Sequence, residues 1–188
     1  MAAPYTRQSI TVAEYHEMAE QGVFGPTERI ELIEGELIWM SPIGGPHADI
    51  VDELTDLIKD EIGKQWRVRG QNPIRLNDLS EPQPDISVVE RRRYRTSVPD
   101  VSHARLVIEV LDTTLFFDVN VKVPLYAAAG VPEAWIVDVR GETIIRYADM
   151  VDGRYTSVEQ FERSERITSR SIESLSLDVD DIFGPVEE

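Results

Sequence analysis

The spacing of apolar and polar residues predicts the first elements of the chain. Thr11-Val-Ala-Glu14 has the form of a capping box and Gly22 is a natural stop, so we expect a short helix over residues 11–21. Residues 29–40 alternate polar and apolar positions on both sides of Glu34-Gly35, which predicts a β-hairpin. After a turn-rich segment, apolar residues recur at spacings of three and four and predict a helix with one buried face: Val51, Leu54, Leu57, Ile58 and Ile62.

The middle of the chain changes to extended runs rich in β-branched residues, and the second half mixes both patterns. The run over 105–111 is apolar on both faces except for Glu109, as expected of a central strand. The order of elements predicts an α/β fold with a mixed sheet flanked by helices, in a single domain over 1–188 whose core lies at about 29–150. We expect strands over 66–76, 84–89, 105–111, 133–139, 142–147 and 154–161, a helix over 115–129 that ends at Gly130, a hairpin turn at Arg140-Gly141, and a short helix near 178–183.

Composition narrows the class of protein. The chain has 188 residues and no cysteine, which excludes a disulfide scaffold, a cysteine nucleophile and a thiolate metal site. Apolar runs fall short of the roughly 20 residues that span a membrane, and no signal-peptide pattern opens the chain, so we expect a cytoplasmic protein. The net charge of −16 is the reverse of a basic nucleic-acid footprint. Since only three of the 19 basic residues are lysines, a general compositional bias also explains this charge, and charge alone does not exclude DNA.

Three charged residues occupy positions that predict burial. Asp85 begins one predicted strand, Glu109 lies inside another, and Lys122 falls on the apolar stripe of a predicted helix. Burying an unpaired charge costs several kcal/mol or more, so such groups need partners or a cation. Two carboxylates on adjacent strands suit magnesium, and a nearby lysine can orient an attacking water.

Structural explanations of the same three residues stay open. An aspartate that follows a proline at the end of a strand is often a turn former. Glu109 is also explained by a simple ion pair with Lys122 or Arg105. Lys122 is also explained by a stem that lies along the helix and an ammonium group that reaches solvent.

A set of short motifs in unbroken order covers roughly residues 6–183. The motifs are Glu31-Leu-Ile-Glu-Gly-Glu-Leu-Ile-Trp-Met-Ser-Pro42, His47, Gln83-Pro-Asp85, Leu106-Val-Ile-Glu-Val-Leu111, Asp118 with Lys122, and Tyr126-Ala-Ala-Ala-Gly-Val-Pro-Glu-Ala-Trp-Ile-Val-Asp138. Each motif is weak alone, but the ordered set resembles the Uma2 family. That family is grouped with the endonucleases of the PD-(D/E)XK superfamily, which have the restriction-endonuclease-like fold.

The resemblance implies a core of helix, three strands, helix and strand, and a magnesium-dependent endonuclease that hydrolyses DNA phosphodiester bonds, with Mn²⁺ as an alternative metal. Asp85 and Glu109 would bind the metal together with the main-chain carbonyl of Val110. Leu111 stands where the superfamily usually has its lysine, and Lys122 would take that place and position the attacking water. By analogy, the protein would act as a homodimer on DNA, which it binds weakly, and a partner protein would be one source of specificity.

Two departures from the family pattern favour a second hypothesis. Residues 112–114 replace the usual serine-proline turn, and Pro124 lies two residues after Lys122, so the helix is expected to kink there or to begin late. An inactive nuclease fold that serves as a binding or oligomerisation module is the alternative function. The charge suggests a third, an acidic domain that mimics DNA or binds protein.

Secondary candidates surround the proposed site. His47 matches a recurrent family histidine and is a candidate for contact with the metal site or the phosphate, although a packing or capping role is equally compatible with its position. Glu31 and Glu36 could add an acidic contact, but an ordinary solvated hairpin face is the better explanation for both. Asp118 is expected to pair with Lys122 along the helix.

The only dense basic cluster, the basic patch, is Arg91-Arg92-Arg93-Tyr94-Arg95. A basic cluster that follows the Asp85 strand directly would suit contact with the DNA backbone. A solvated loop paired with nearby acids explains the same residues.

Overall fold

The computed structural model describes residues 8–112 and 118–185 and has a six-stranded sheet at its centre. No helix in these two ranges is long and apolar enough to cross a bilayer. The helices are α1 (Val12–Glu20), α2 (Gly45–Glu61), α3 (Val123–Ala129) and α4 (Val179–Phe183). The strands are β1 (Ile30–Ile33), β2 (Glu36–Trp39), β3 (Trp66–Gly70), β4 (Ile86–Glu90), β5 (Ala104–Leu111), β6 (Glu133–Asp138), β7 (Thr143–Val151), β8 (Arg154–Phe161), β9 (Arg166–Thr168) and β10 (Ser176–Asp178).

The central sheet is mixed. Its strand order is β3-β4-β5-β6-β7-β8, and β5 and β6 are parallel whereas every other neighbouring pair is antiparallel. A parallel pair needs a crossover, and α3 lies in the connection between β5 and β6. The order α2, β3–β5, α3 and β6 is the expected core of helix, three strands, helix and strand. The predicted mixed sheet flanked by helices is therefore confirmed.

Apolar residues on both faces of the sheet form the core. Along β5 the side chains alternate between the faces, so Leu106, Ile108 and Val110 pack on one side and Val107 packs on the other. The first face is covered by α2, β9–β10 and α4, through Ile50, Val51, Leu54, Ile58, Ile167, Leu177 and Ile182. The second face is covered by the β1–β2 hairpin and α3, through Ile33, Leu125 and Tyr126.

Several predicted boundaries differ from those in the structure. The extended run after Trp66 ends as a strand at Gly70, because Gln71 has a positive φ of 49° and turns the chain. The pair β9–β10 was not predicted, since each strand has only three residues and no readable alternation. The first helix, both hairpins, β8 and the C-terminal helix lie where the pattern placed them.

Of the predicted helix over 115–129, the structure describes residues 118–129, and all of these are helical. A π-helical turn over Asp118–Lys122 leads into α3, where Pro124 occupies the first turn. Proline is well tolerated there, because the missing N–H has no partner within the helix in any case. α-Helical geometry thus begins at Val123, directly before Pro124. Thr113, Thr114 and Leu115 lie outside the described residues, as does the side chain of Asp118 with its predicted pairing.

Candidate active site

Asp85 and Glu109 lie opposite each other on neighbouring strands. Ile86 of β4 pairs with Ile108 of β5 in antiparallel register, so the next residues outwards along this register are Asp85 and Glu109. Residues opposed in this way point to the same face with their Cβ atoms about 5 Å apart. Both are buried, with 7% and 3% of their surface exposed. The structure therefore brings together the two carboxylates that the sequence singled out.

Lys122 reaches the two carboxylates from the π-helical turn that precedes α3. Its side chain is fully buried, and its Nζ lies 3.3 Å from Oε1 of Glu109. The ion pair with Glu109 that was considered as a structural explanation is thus present, whereas Arg105 pairs with Glu90 at 3.8 Å. The suggestion that the ammonium group reaches solvent is wrong, because the side chain has no exposed surface and its Nζ lies beside the carboxylates of Glu31 and Glu109.

Glu31 is a functional candidate that the sequence interpretation underrated. The expected solvated hairpin face is wrong for Glu31, which is 1% exposed, although it holds for the exposed Glu36. Oε1 and Oε2 of Glu31 lie 3.2 and 3.1 Å from Nζ of Lys122, and Oε1 also accepts a hydrogen bond from the backbone N–H of Gln83 at 2.9 Å. The sequence did contain a signal, since Glu31 has apolar neighbours on both sides, Ile30 and Leu32. In the structure all four residues of β1 are buried.

Tyr126, which begins the last of the family-like motifs and was given no role in the site, contacts Glu109. Its hydroxyl donates a hydrogen bond of 2.5 Å to Oε1 of Glu109, the same oxygen that faces Lys122. Lys122 and Tyr126 are four positions apart, one turn of a helix, so both reach Glu109 from the same face. The spacing is the signal that would have identified Tyr126.

Asp85 is held by three neighbours. Its Oδ2 accepts a hydrogen bond from the backbone N–H of Val110 at 2.9 Å and lies 3.1 Å from Nε2 of His47, while Oδ1 lies 3.5 Å from Nε2 of Gln71. His47 stands in the first turn of α2 and reaches the sheet end from there. Its hydrogen bond to Asp85 raises the pKa of His47, while burial and the charge of Arg29 oppose the rise. The structure thus places His47 at the predicted metal site.

These side chains line one cleft of about 190 Å³ between the start of α2, the hairpin and the end of β5. Its lining includes Asp85, Glu109, Lys122, His47 and Val110, together with residues that the sequence interpretation did not assign: Arg29, Met40, Ser41, Pro42, Ile43, Gly44, Gln83 and Asp112. The cleft therefore combines carboxylates, cations and amide groups around a small open volume.

The donor set of the cleft can be compared with what magnesium requires. Within the described ranges, no three His, Cys, Asp or Glu side chains are grouped closely enough to hold a metal ion. Magnesium usually takes only one or two protein carboxylates and retains several waters. Asp85 and Glu109 supply two hard oxygen donors on one wall of the cleft, which fits that requirement.

The basic patch does not reach this cleft. Arg91, Arg92, Arg93 and Arg95 follow the far end of β4, whereas Asp85 precedes its near end. Six residues of extended chain separate Asp85 from Arg91, which is about 20 Å. Arg91 donates to the backbone carbonyl of Trp66, and the guanidinium of Arg92 lies over the ring of Tyr94. Contact between the basic patch and DNA therefore stays a prediction for a surface away from the carboxylates.

Comparison with known proteins agrees with the fold and with the family that the motifs resemble. A family model described as "Uma2: Putative restriction endonuclease" matches residues 12–180. The fold is similar to the crystal structure of a "putative nuclease belonging to DUF820" from Anabaena variabilis, with a TM-score of 0.71 and 21% sequence identity over 93% of this chain and 97% of that chain. No curated protein matches the sequence significantly.

Proposed function

The chain belongs to the Uma2 family of restriction endonuclease-like proteins, and on that premise we propose that it is a metal-dependent endonuclease that hydrolyses phosphodiester bonds of DNA. The observation that carries the proposal is the meeting of Asp85, Glu109 and Lys122 in one cleft, at the end of two paired strands. Three charged groups that a folded core would not tolerate singly are placed together beside open volume. Such groupings are a common property of catalytic sites.

Asp85 and Glu109 are the proposed ligands of Mg²⁺ or Mn²⁺, with the main-chain carbonyl of Val110 as a third donor. When bound, the metal would supply positive charge for the phosphate and lower the pKa of a water. His47 and the N–H of Val110 orient the carboxylate of Asp85, and Tyr126 orients that of Glu109. These contacts fix the two carboxylates before any ligand arrives.

Lys122 is the proposed positioning group for the attacking water. It lines the cleft while Glu31 and Glu109 hold its ammonium group from inside the protein. An ammonium group fixed in this way donates a hydrogen bond in a constant direction, which is the requirement for orienting a nucleophile. The reaction forms one bond between the water oxygen and phosphorus and breaks one phosphorus–oxygen ester bond.

Cleavage of plasmid DNA in the presence of Mg²⁺ or Mn²⁺ tests this proposal. We expect Asp85→Asn and Glu109→Gln to lose at least about a hundredfold in rate, since each removes a charged donor at the reacting centre. The exposed pair Asp52 and Glu53 on α2 provides matched controls, because neither lines the cleft and Asp52→Asn and Glu53→Gln make the same chemical changes. A wild-type protein that cleaves no DNA with either metal, or an Asp85→Asn variant with wild-type rate, contradicts the proposal.

A second function is favoured by one observation. Glu109 is occupied by Lys122 and Tyr126, and no cluster of three ligand residues exists among the described residues. An inactive nuclease fold that binds a partner or oligomerises would retain such a network, in which the charged groups are bound by one another rather than by a metal ion. Calorimetric titration with Mg²⁺ distinguishes the two: this function predicts no binding that depends on Asp85, whereas the nuclease requires it.

The proposed nuclease includes a homodimer, because duplex DNA presents two strands to be cut and one cleft reaches only one of them at a time. Sedimentation equilibrium with and without duplex DNA tests this part. A protein that stays monomeric in both conditions and still makes double-strand breaks contradicts it.

A further inference from the structure

Arg29 is a cation of the cleft to which the proposed reaction assigns no role. It immediately precedes β1, where its backbone carbonyl accepts a hydrogen bond from the N–H of Met40 at 2.9 Å, and its partly buried side chain lines the cleft. Arg29 lines the same cleft as His47 and Asp85, so its side chain lies at the carboxylate end of the cleft. The neighbouring hairpin residue Glu31 is buried against Lys122, and this fixes the strand that follows Arg29.

The guanidinium of Arg29 makes no hydrogen bond or ion pair with any described residue. Seven described arginines pair with carboxylates and none of these seven lines the cleft: Arg75, Arg105, Arg140, Arg146, Arg163, Arg166 and Arg170. Asp112 also lines the cleft, but it is taken by Arg140 at 2.8 Å. An arginine that lines a cleft beside carboxylates and pairs with none of them is available to a ligand.

The charges of the cleft indicate which ligand that is. Three carboxylates line it, Asp85, Glu109 and Asp112, against two permanent cations, Arg29 and Lys122. Lys122 is fully buried and forms ion pairs with Glu31 and Glu109, so its positive charge is largely neutralised inside the protein. An anionic ligand therefore meets Arg29 as its accessible cation, and a planar guanidinium binds phosphate oxygens in pairs.

We propose that Arg29 binds a phosphate of the DNA strand that enters the cleft and thereby holds that strand against Asp85 and Glu109. This inference rests on the proposed nuclease function for the identity of the ligand. The contact exists in the substrate complex and in the transition state alike, so its loss raises KM and leaves kcat nearly unchanged.

Binding of a fluorescent DNA duplex by fluorescence anisotropy, at low salt and with Ca²⁺ replacing Mg²⁺, tests the inference. We expect Arg29→Ala to weaken binding by about tenfold and Arg29→Lys by less, because the lysine retains the charge and loses the fork. The slope of log affinity against log salt should fall by about one for Arg29→Ala, as for the loss of one phosphate contact. Arg154→Ala is the matched control: Arg154 has no partner among the described residues either, but it stands on the edge strand β8, away from the cleft.

The outcomes separate this inference from the nuclease proposal. Equal weakening by Arg29→Ala and Arg154→Ala overturns the inference, because the effect would then be one of net charge. Absence of DNA binding by the wild-type protein also overturns it. If Arg29→Ala cleaves DNA with the wild-type KM, the inference is contradicted and the nuclease proposal stands. If Arg29→Ala alone loses DNA binding but the wild-type protein never cleaves DNA, the inference is supported and the nuclease proposal is contradicted.

Discussion

The fully buried ammonium group of Lys122 must be balanced from within the protein, and Glu31 and Glu109 do this from two different layers. Removing one partner of a buried ion pair is costly, because it leaves a charge without compensation. Glu31 therefore contributes both to stability and to the direction in which Lys122 points. The site depends on a residue outside the core of helix, strands, helix and strand.

We expect Glu31→Ala to lower the free energy of unfolding by about 3 to 5 kcal/mol, because the buried ammonium group of Lys122 then loses one of the carboxylates that balance it. Urea denaturation measures this loss. Glu36→Ala, in the same hairpin but exposed, should stay within about 0.5 kcal/mol of the wild-type protein. Equal stability of the two variants would show that the pair contributes nothing.

At the scale of single residues, the sequence predicted the two strand carboxylates, Asp85 and Glu109, better than it predicted Glu31. Asp85 and Glu109 were recognisable because a charge inside an apolar strand requires an explanation, and pairing of the two strands is local in the sheet. Glu31 was not, because its contact with Lys122 joins positions 91 apart and depends on how the hairpin packs. Alternation within a short strand does not tell which face another element covers.

At the scale of elements, the connection between β5 and β6 delivers Lys122 to the sheet. The π-helical turn over Asp118–Lys122 widens the helix just before α3. Pro124 then lies in the first turn of α3, where backbone N–H groups have no hydrogen-bond partner within the helix. π-Helical turns are frequent at functional sites because they redirect single side chains. Pro124 is therefore compatible with an ordered Lys122.

We expect Pro124→Ala to change the free energy of unfolding by less than about 1 kcal/mol, because the first turn of a helix tolerates both residues. Ala127→Pro, in the interior of α3, is the contrasting variant and should cost about 3 kcal/mol or more. Thermal or urea unfolding of the three proteins provides the comparison. A large loss for Pro124→Ala would mean that the proline itself holds the turn.

A second element-scale feature ties the C-terminal helix to the sheet. Arg163 follows β8, and its guanidinium donates to Glu142 in the β6–β7 turn, to Asp180 in α4 and to the carbonyl of Gly184. The hydrogen bond from Arg163 lowers the pKa of Glu142. A carboxyl whose pKa is lowered by folding stabilises the protein above its ordinary pKa of about 4.5 and loses that contribution as the pH falls through the lowered value.

Glu142→Gln should therefore lower Tm at pH 7 by a few degrees, and the difference from the wild-type protein should shrink as the pH falls from about 4.5 towards 3. Calorimetric scans across this range measure the effect. Glu173→Gln removes an exposed carboxylate with no ion pair among the described residues and serves as the control. A difference that persists unchanged at pH 3 would exclude the ionic origin.

Elements were predictable in proportion to their length and regularity. The stripe of α2 and the double apolar face of β5 repeat over several turns or residues, so their burial follows from period alone. The end of β3 depends on the single residue Gln71 in a left-handed conformation, which no periodicity announces. The π-helical turn before α3 is a local change of helix geometry that the spacing of apolar residues does not predict.

At the scale of the whole molecule, the net charge of −16 repels DNA everywhere except at local cations. Arg29 lies at the cleft, and the basic patch lies beyond the other end of β4, about 20 Å from Asp85 along the strand. Two cationic regions so far apart can contact one duplex only at separate phosphates. The basic patch is thus suited to retain DNA rather than to take part in hydrolysis.

The double substitution Arg93→Gln with Arg95→Gln should reduce the salt dependence of DNA binding by up to about two phosphate contacts and leave kcat at saturating DNA unchanged. Binding titrations at several salt concentrations, together with cleavage at saturation, separate the two effects. Arg154→Gln again controls for net charge. A fall in kcat would place the basic patch closer to the chemistry than the fold does.

The layout of the cleft along the chain also fixes when it can form during synthesis. Glu31 and Asp85 leave the ribosome well before Lys122, 91 positions after Glu31, and the strand order requires β6, which ends at Asp138, beside β5. At roughly 5 to 20 residues per second, those 91 residues take roughly 5 to 20 seconds. For that interval the nascent chain carries Glu31 without the lysine that pairs with it. In the proposed nuclease, the cleft is therefore incomplete, and no cleavage of DNA is expected, until Asp138 has been made.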